Sequence, residues 1–445
     1  MSGPFNLTAV EAARAIRSGQ VSSVELVQSC LDRIAEVDET VQAWTHLDAE
    51  YVLEQARQSD LYRLSAAPIG PLHGVPVGIK DIFDTKDYPT EYGSSLHKGR
   101  KTVEDATCVA LLRQAGAIVM GKTVTAEFAV LSPGKTTNPH DAARTPGGSS
   151  SGSAAAVASG MVPLALGTQT NGSVIRPASY CGVVGYKPTF GMISRNRVLR
   201  TSRNLDTVGA FARTVDDAAL AVQVMTGYDE LDPDARHIVR PDLLTLAGEE
   251  PPMPPRFAFI KSPAWDQADA ATHEAFAELV EALGDRVEEV QLAHVYDEIF
   301  QWHRLVMEVE IAKNLADDFE RGGDHISETL RAMNERGRAV HGVDYSLALD
   351  RQALFGRSLD ELFEDFDVIL SPSAPGEAPL GLHSTGNPAF STLWTFTGMP
   401  AVSLPLLQGE AGLPLGVQLI GQKGDDGRLL RSANWLTKYI DDLSQ

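Results

Sequence analysis

Short runs of apolar residues alternate along this chain with segments in which apolar residues return every three or four positions. Such runs predict buried strands, and the three-to-four spacing predicts amphipathic helices. The predicted strands read VPVGI, AIVM, VPLAL, FAFI and DVILS, and clear helices span 24–37 and 271–283. This alternation predicts an α/β fold, with a central mixed β-sheet covered by helices on both faces.

No low-complexity linker divides the 445 residues, so we expect one domain over 1–445. The proline-rich stretch 246–256 is followed directly by the predicted strand FAFI, and we interpret it as a loop within one fold. We expect three regions: a catalytic core at about 70–200, a helical cover at about 230–365, with consecutive helices over 301–365, and closing strands at about 366–445.

Composition excludes several classes of function. A net charge of −21 disfavours nonspecific binding to nucleic acid. The first 30 residues lack a basic-then-apolar leader, and no apolar run approaches the roughly 18 residues of a membrane span, so we expect a cytoplasmic protein. The three cysteines, Cys30, Cys108 and Cys181, form no CxxC pair, which favours a reducing compartment and no structural metal.

The strongest chemical signal lies between residues 145 and 191, where two turns rich in serine and glycine flank a helix of small residues. The first turn, GGSSSG at 147–152, places hydroxyls and unpaired N–H groups at a helix N-terminus. The second, TQTNGS at 168–173, follows an apolar strand, and its N–H groups are suited to hold an oxyanion. Ser173 ends this second turn, next to these N–H groups, and is therefore the candidate nucleophile.

A nucleophilic serine needs a base, and Lys80 at the end of VPVGI is the candidate. A lysine at the end of a strand is often only a solvated charge. Desolvation and neighbouring donors, however, can lower a lysine pKa towards neutrality, and the two serine turns favour this second interpretation.

Taken together, these motifs resemble the amidase signature family of hydrolases over nearly the whole chain. The resemblance rests on six segments: SGQVSSVELV (18–27), DATCVALLRQAGAIVMGKTVTAEFA (105–129), NPHDAARTPGGSSSGSAAA (138–156), GVVGYKPT (182–189), GMPAVSLPL (398–406) and GLPLGVQLIG (412–421). It implies the amidase signature fold and a Ser-cisSer-Lys triad of Ser173, Ser149 and Lys80, with a cis peptide bond between Gly148 and Ser149.

The resemblance also implies roles for neighbouring groups. It assigns the oxyanion pocket to four backbone N–H groups, those of Thr170, Asn171, Gly172 and Ser173. Ser150 and Thr168 would support the proton relay by hydrogen bonds, and water would hydrolyse an acyl-enzyme on Ser173. We expect no cofactor or metal, a small-molecule amide substrate, no binding to nucleic acid or membrane, and a homodimer.

The second turn departs from the common family pattern in a way that bears on the substrate. Many members read GTDxGGSIRxP where this chain reads GTQTNGSVIRP, so Gln169 replaces an acid, Asn171 replaces a small residue, and the arginine moves to Arg176. The spacing SVIR resembles bacterial malonamidases. Because arginine binds carboxylates bidentately, we expect Arg176 to select a malonamate-like or carbamoyl acid substrate. The alternative is a scaffold role, with Arg176 paired to a buried Asp or Glu.

Two other functions remain open at this point. The first is an aryl or alkyl acylamidase acting on uncharged amides. The second is the glutaminase subunit of a tRNA-dependent amidotransferase, which would need a partner chain and would pass ammonia to a charged tRNA. The strong acidity of the chain and Gln169 count against the second.

The segment GAIVMGKT at 116–123 matches the phosphate-loop pattern GxxxxGK[ST] of ATPases. A phosphate loop is an open turn, whereas AIVM is a continuous apolar run after an amphipathic helix. We therefore predict that Gly116 ends that helix and that AIVM is a buried strand.

The segment GSSSG at 148–152 matches the GxSxG elbow of α/β-hydrolases, with Ser150 as nucleophile. Such an elbow follows an apolar strand, but the polar segment NPHDAARTPG precedes it here. We assign no role to His73 or to later histidines, which include His303, His341 and His383.

Overall fold

Eleven strands within residues 3–443, the part of the chain that the structure describes, form one mixed sheet in the computed structural model. The strands are β1 (Trp44–Leu47), β2 (Pro76–Lys80), β3 (Ile118–Thr123), β4 (Leu164–Gln169), β5 (Val184–Lys187), β6 (Thr207–Ala212), β7 (Phe257–Ile260), β8 (Val287–Val290), β9 (Val368–Pro372), β10 (Ala401–Gln408) and β11 (Pro414–Ile420). Their order is β1-β3-β2-β4-β6-β5-β10-β11-β9-β7-β8. The predicted α/β fold with a central mixed sheet is confirmed.

The α-helices pack against this sheet and against one another. They are α1 (Ala9–Ser18), α2 (Ser23–Val41), α3 (Ala49–Leu64), α4 (Thr107–Gln114), α5 (Ser151–Ala158), α6 (Ile175–Cys181), α7 (Val215–Met225), α8 (Leu243–Gly248), α9 (Ala270–Leu283), α10 (Ile299–Asn314), α11 (Ala316–Gly322), α12 (Glu328–Ala339), α13 (Gly342–Asp360), α14 (Ala389–Phe396) and α15 (Asp426–Leu443). Short 3-10 helices span Pro4–Asn6, Ser95–His97, Glu127–Ala129, Trp265–Gln267, Gly284–Arg286, His294–Glu298, Gly323–His325 and Glu361–Glu364. Capping boxes at Thr8 and Ser22 start α1 and α2.

Strand β2 carries Lys80 to the edge of the sheet at which the second turn begins. It runs parallel to both β3 and β4, so the carboxyl ends of these strands meet at that edge. Strand β4 ends later than the sequence predicts, because Thr168 and Gln169 belong to it and pair with β6. Both side chains are buried and hydrogen-bonded, and their polarity therefore does not mark a turn.

Helix α5 brings the first serine turn close to the sheet because its residues are small. The Cβ atom of a side chain at Gly152 would lie only 2.3 Å from Ala43 O and 2.4 Å from Val124 N, so only glycine fits there. Ser153 Oγ donates to Leu166 O on β4 at 2.7 Å. This close contact places the start of α5 beside the ends of β2 and β4.

Region 230–365, expected to form a helical cover, contributes strands as well as helices. Strand β7, recognised as FAFI, pairs in parallel with β8 and with β9. The sequence did not indicate β8, which reads VEEV and is only partly buried at the sheet edge. The consecutive helices predicted over 301–365 are present as α10 to α13.

The two misleading motifs take other structures. Gly116 has a φ of 90° just after α4, and Lys122 lies fully buried inside β3, so no phosphate loop forms. Residues 124–150, between β3 and α5, contain no strand, so the strand that an α/β-hydrolase elbow requires before Ser150 is missing.

Candidate active site

Lys80 is fully buried, and its amine contacts two hydroxyl groups. The Nζ atom lies 2.8 Å from Ser149 Oγ and 2.9 Å from Thr168 Oγ1. Burial lowers the pKa of Lys80 to about 7, although the nearby Asp206 carboxylate acts to raise it. Much of the amine is therefore neutral at pH 7 and able to accept a proton from Ser149.

The first serine turn surrounds this lysine. The peptide bond between Gly148 and Ser149 is cis, as the resemblance implies. Ser150 Oγ accepts from the Thr168 N–H and donates to the Thr168 carbonyl, both at 3.3 Å. Thr168 thus contacts Lys80 through its hydroxyl and Ser150 through its backbone.

Ser173 lies in the second turn, buried to all but 7% of its surface, beside a cavity of about 40 Å³. The carbonyl oxygens of Thr170, Asn171 and Gly172 each accept a hydrogen bond. In contrast, the N–H groups of Asn171, Gly172 and Ser173 have no partner among residues 3–443. The N–H of Thr170, the fourth donor that the resemblance assigns, has no partner there either. All four donors are available to a ligand oxygen beside Ser173, which is what an oxyanion pocket requires.

Arg176 lines the same cavity from the first turn of α6. Its Nη2 atom donates to Gly148 O at 2.5 Å and to Thr385 Oγ1 at 3.2 Å, while its buried Nε has no partner. No carboxylate of the described residues forms an ion pair with it, so the scaffold pairing with Asp or Glu is not found. Burial lowers its pKa to about 10, and arginine therefore stays charged at pH 7.

Thr170, Asn171 and Thr201 also line the small cavity. Its other walls are apolar: Ala129, Val130, Leu131, Met307, Ile311 and Pro388. A much larger cavity, of about 660 Å³, lies elsewhere, lined by the proline-rich loop and the start of α15. None of Lys80, Ser149 and Ser173 lines that larger cavity. The small cavity is therefore the candidate acyl pocket, and its size suits a small acyl group.

Sequence reasoning missed the distant residues that contact the second turn, which include Thr201 and Thr392. Three of them hold its backbone or Thr170. Asp206 accepts from Thr170 Oγ1 at 2.6 Å, His303 contacts Thr170 O at 2.9 Å, and Thr395 donates to Asn171 O at 2.5 Å. Of these three, only His303 could have been noticed from the sequence. Its spacing of four from Met307 places both residues on one face of α10. The other two lie 36 and 224 residues from their partners, and nothing local marks them.

Within residues 3–443, no group of three or more His, Cys, Asp or Glu side chains is arranged to hold a metal ion. Of the helices in that range, none combines the length and apolar content that crossing a membrane requires.

The site joins a buried lysine, two serine turns and free backbone donors, an arrangement suited to acyl transfer. Comparison with known proteins agrees with this class, since the model of the amidase family matches residues 25–430. The chain therefore belongs to the amidase signature family.

Relatives and solved structures extend the comparison. A glutamyl-tRNA(Gln) amidotransferase subunit of Thermobifida fusca (strain YX) is 34% identical over 473 residues, covering 96% of this chain and 94% of that protein. The corresponding subunit of Nocardia farcinica (strain IFM 10152) is 35% identical, covering 97% of each.

Among solved structures, a vestigial protein complex related to an s-triazine catabolic enzyme superposes with a TM-score of 0.90 at 28% identity, covering 97% of this chain and 98% of that chain. A 6-aminohexanoate cyclic dimer hydrolase complexed with substrate has a TM-score of 0.87 at 26% identity, covering 99% and 98%. Family and neighbours together support an amide-hydrolysing enzyme.

Proposed function

We propose that this enzyme hydrolyses a small amide through an acyl-enzyme, with Ser173 as nucleophile, Ser149 as proton relay and Lys80 as base. The relay is supported by the 2.8 Å contact between Lys80 Nζ and Ser149 Oγ and by the lowered pKa of the lysine. The nucleophile is supported by the free N–H groups around Ser173.

In the proposed mechanism, Ser173 Oγ attacks the amide carbonyl carbon while its proton passes to Ser149 and the Ser149 proton passes to neutral Lys80. The four N–H groups of Thr170, Asn171, Gly172 and Ser173 stabilise the oxyanion. The proton then returns along the relay to the leaving nitrogen, and the carbon–nitrogen bond breaks. Water attacks the resulting ester by the same route, which releases the acid and restores Ser173.

We further propose that the substrate carries a carboxylate close to the scissile amide, as in malonamate or a carbamoyl acid. The single observation that carries this proposal is the buried guanidinium of Arg176 beside Ser173, which has an unpartnered Nε and no ion-pair partner among the described residues. A substrate carboxylate would supply the missing partner in a charge-assisted contact. The narrow cavity favours a short acid over a long acyl chain.

Arg176→Gln is expected to lower kcat/KM for malonamate by about 10- to 100-fold, because a buried charge-assisted hydrogen bond contributes roughly 1.5–3 kcal/mol. Glutamine keeps a hydrogen-bond donor at the position of the arginine Nε but carries no charge. The matched neutral substrate is 3-methylbutanamide, in which two methyl groups replace the carboxylate oxygens, and its kcat/KM should change much less. Equal losses on both substrates, with a lowered melting temperature, would instead assign Arg176 to the scaffold and the enzyme to uncharged acylamides.

A second candidate is the glutaminase subunit of a tRNA-dependent amidotransferase. It is favoured by the relatives named as glutamyl-tRNA(Gln) amidotransferase subunits, which are 32% to 35% identical and span nearly the whole chain. Gln169 and the narrow cavity favour the first candidate. That this chain forms a homodimer stays a prediction.

A panel of small amides, assayed with the purified chain alone, tests the two functions. Turnover of malonamate without tRNA or a second chain, and preferred over L-glutamine, is the expected result. Glutaminase activity that appears only with a charged tRNA and a partner chain would instead identify the protein as part of an amidotransferase.

A further inference from the structure

The second turn is held from outside through its carbonyl groups. The carbonyl of Thr170 is 2.9 Å from His303 Nε2 on α10, and the carbonyl of Asn171 accepts from Thr395 Oγ1 on α14 at 2.5 Å. Both helices lie more than 100 residues further along the chain than the turn.

Because the peptide group is rigid, these contacts to the carbonyls also fix the directions of the N–H groups that follow them. In a planar trans peptide, the C=O and the following N–H point in opposite directions. A hydrogen bond that fixes the Thr170 carbonyl therefore also fixes the direction of the Asn171 N–H, and the Asn171 carbonyl does the same for the Gly172 N–H. These two N–H groups are among those without a partner in residues 3–443.

His303 is suited to hold a carbonyl permanently. A carbonyl oxygen only accepts hydrogen bonds, so Nε2 must carry the proton in this contact. The side chain is buried to all but 1% of its surface, and burial lowers its pKa to about 4, so the ring stays neutral at pH 7. Its role is thus to donate one hydrogen bond rather than to exchange protons.

The Thr395 hydroxyl has only one proton to donate, and Gln169 determines where that proton points. Gln169 Nε2 donates to Thr395 Oγ1 at 2.9 Å, which leaves the hydroxyl proton for Asn171 O. The other end of the same amide, Oε1, accepts from the N–H groups of Val174 and Ile175 at 2.8 and 3.0 Å. A carboxylate at position 169 has no proton to donate to Thr395.

We propose that His303 and Thr395 are positioning residues, which orient the oxyanion-binding N–H groups of the second turn by holding its carbonyls. The proposal rests on the proposed function, in which this turn binds the oxyanion of the tetrahedral intermediate. Neither side chain lines the cavity, so both act through the backbone.

The test compares His303→Phe with His303→Gln, and Thr395→Val with Thr395→Ser. Phenylalanine and valine keep most of the volume but cannot donate, whereas glutamine and serine keep a donor. We expect kcat to fall about 10- to 100-fold in the first member of each pair, with KM within about threefold, since misaligned oxyanion donors weaken only the transition state. The donor-keeping variants should stay within about fivefold of the wild-type kcat.

A second readout uses methylboronic acid, whose boron accepts a lone pair from Ser173 Oγ to form a tetrahedral adduct while the serine proton passes along the relay to Lys80. Its affinity should fall in His303→Phe by the same factor as kcat. His140→Phe is the matched control, because His140 Nε2 also contacts a carbonyl, Cys181 O, at 2.9 Å but not in this turn. That control should change neither kcat nor boronate affinity.

Equal losses in the donor-keeping and donor-lacking variants would overturn the proposal, since packing rather than hydrogen bonding would then explain them. Unchanged kcat and boronate affinity in both His303→Phe and Thr395→Val would overturn it too. If His303→Phe fails to fold, Thr395→Val decides the question. Failure of the proposed function is recognised separately, by full activity in Ser173→Ala.

Discussion

Ser173→Ala is expected to abolish amide hydrolysis, with kcat falling by about 10⁴- to 10⁶-fold, because Ser173 is the group that the proposed mechanism acylates. The same variant should lose covalent labelling by a fluorophosphonate probe, read by intact-protein mass spectrometry. The hydroxyl lies at the end of the turn whose N–H groups are free, so the reaction loses its attacking atom while the fold keeps its buried core.

Ser150→Ala provides the matched control for this experiment. Ser150 lies at the start of α5, and its hydroxyl contacts the backbone of Thr168, so its loss should weaken the relay but leave Ser173 reactive. Labelling should therefore persist in Ser150→Ala. The opposite pattern, labelling in Ser173→Ala and none in Ser150→Ala, would restore the α/β-hydrolase interpretation.

For the wild-type enzyme, kcat/KM is expected to rise with pH through an apparent pKa near 7. Lys80 accepts a proton only when neutral, and burial lowers its pKa to about 7, so the protonated and inactive form predominates below that pH. The apparent value belongs to the coupled relay rather than to the amine alone. Lys80→Met should lose about 10²- to 10⁴-fold in kcat/KM together with this dependence on pH.

Lys122→Met is the control for burial. Lys122 is also fully buried, and burial lowers its pKa to about 8, but it contacts Phe83 O, Thr90 Oγ1 and Asp81 rather than the serines. Its loss should reduce the free energy of unfolding without moving the acidic limb of the pH profile. If the acidic limb survives in Lys80→Met, another residue is the base.

Local patterns predicted much of this molecule because the relevant forces act over short distances along the chain. The apolar runs FAFI and DVILS became β7 and β9, since strands buried on both faces contain few polar residues. The two serine turns could be recognised for a similar reason, because glycine and serine are frequent where the backbone must pass close to other groups. The structure brings Lys80, Ser149 and Thr168 into direct contact. The family resemblance implied this grouping, and the catalytic roles stay a proposal.

The sequence could not show which distant residues complete the site. The end of β4 was misplaced because Thr168 and Gln169 are polar, and only their buried partners reveal that they belong to a strand. The spacing of His303 from Met307 indicates a shared helix face, but it does not indicate Thr170, which lies 133 residues away, as the partner. The sequence also could not show that the Nε of Arg176 lacks a partner, because this depends on which acidic side chains the fold places near it.

The amide of Gln169 also constrains how this enzyme can diverge. It donates to Thr395, 226 residues away, and at the same time accepts from the start of α6. A mutation to the acid of the commoner motif would reverse the preferred direction of the Thr395 hydroxyl, so the first step of such a change carries a loss of activity. Positions 169 and 395 should therefore covary among related sequences. Sequences with an amide at 169 should differ from those with an acid at both positions, not at 169 alone.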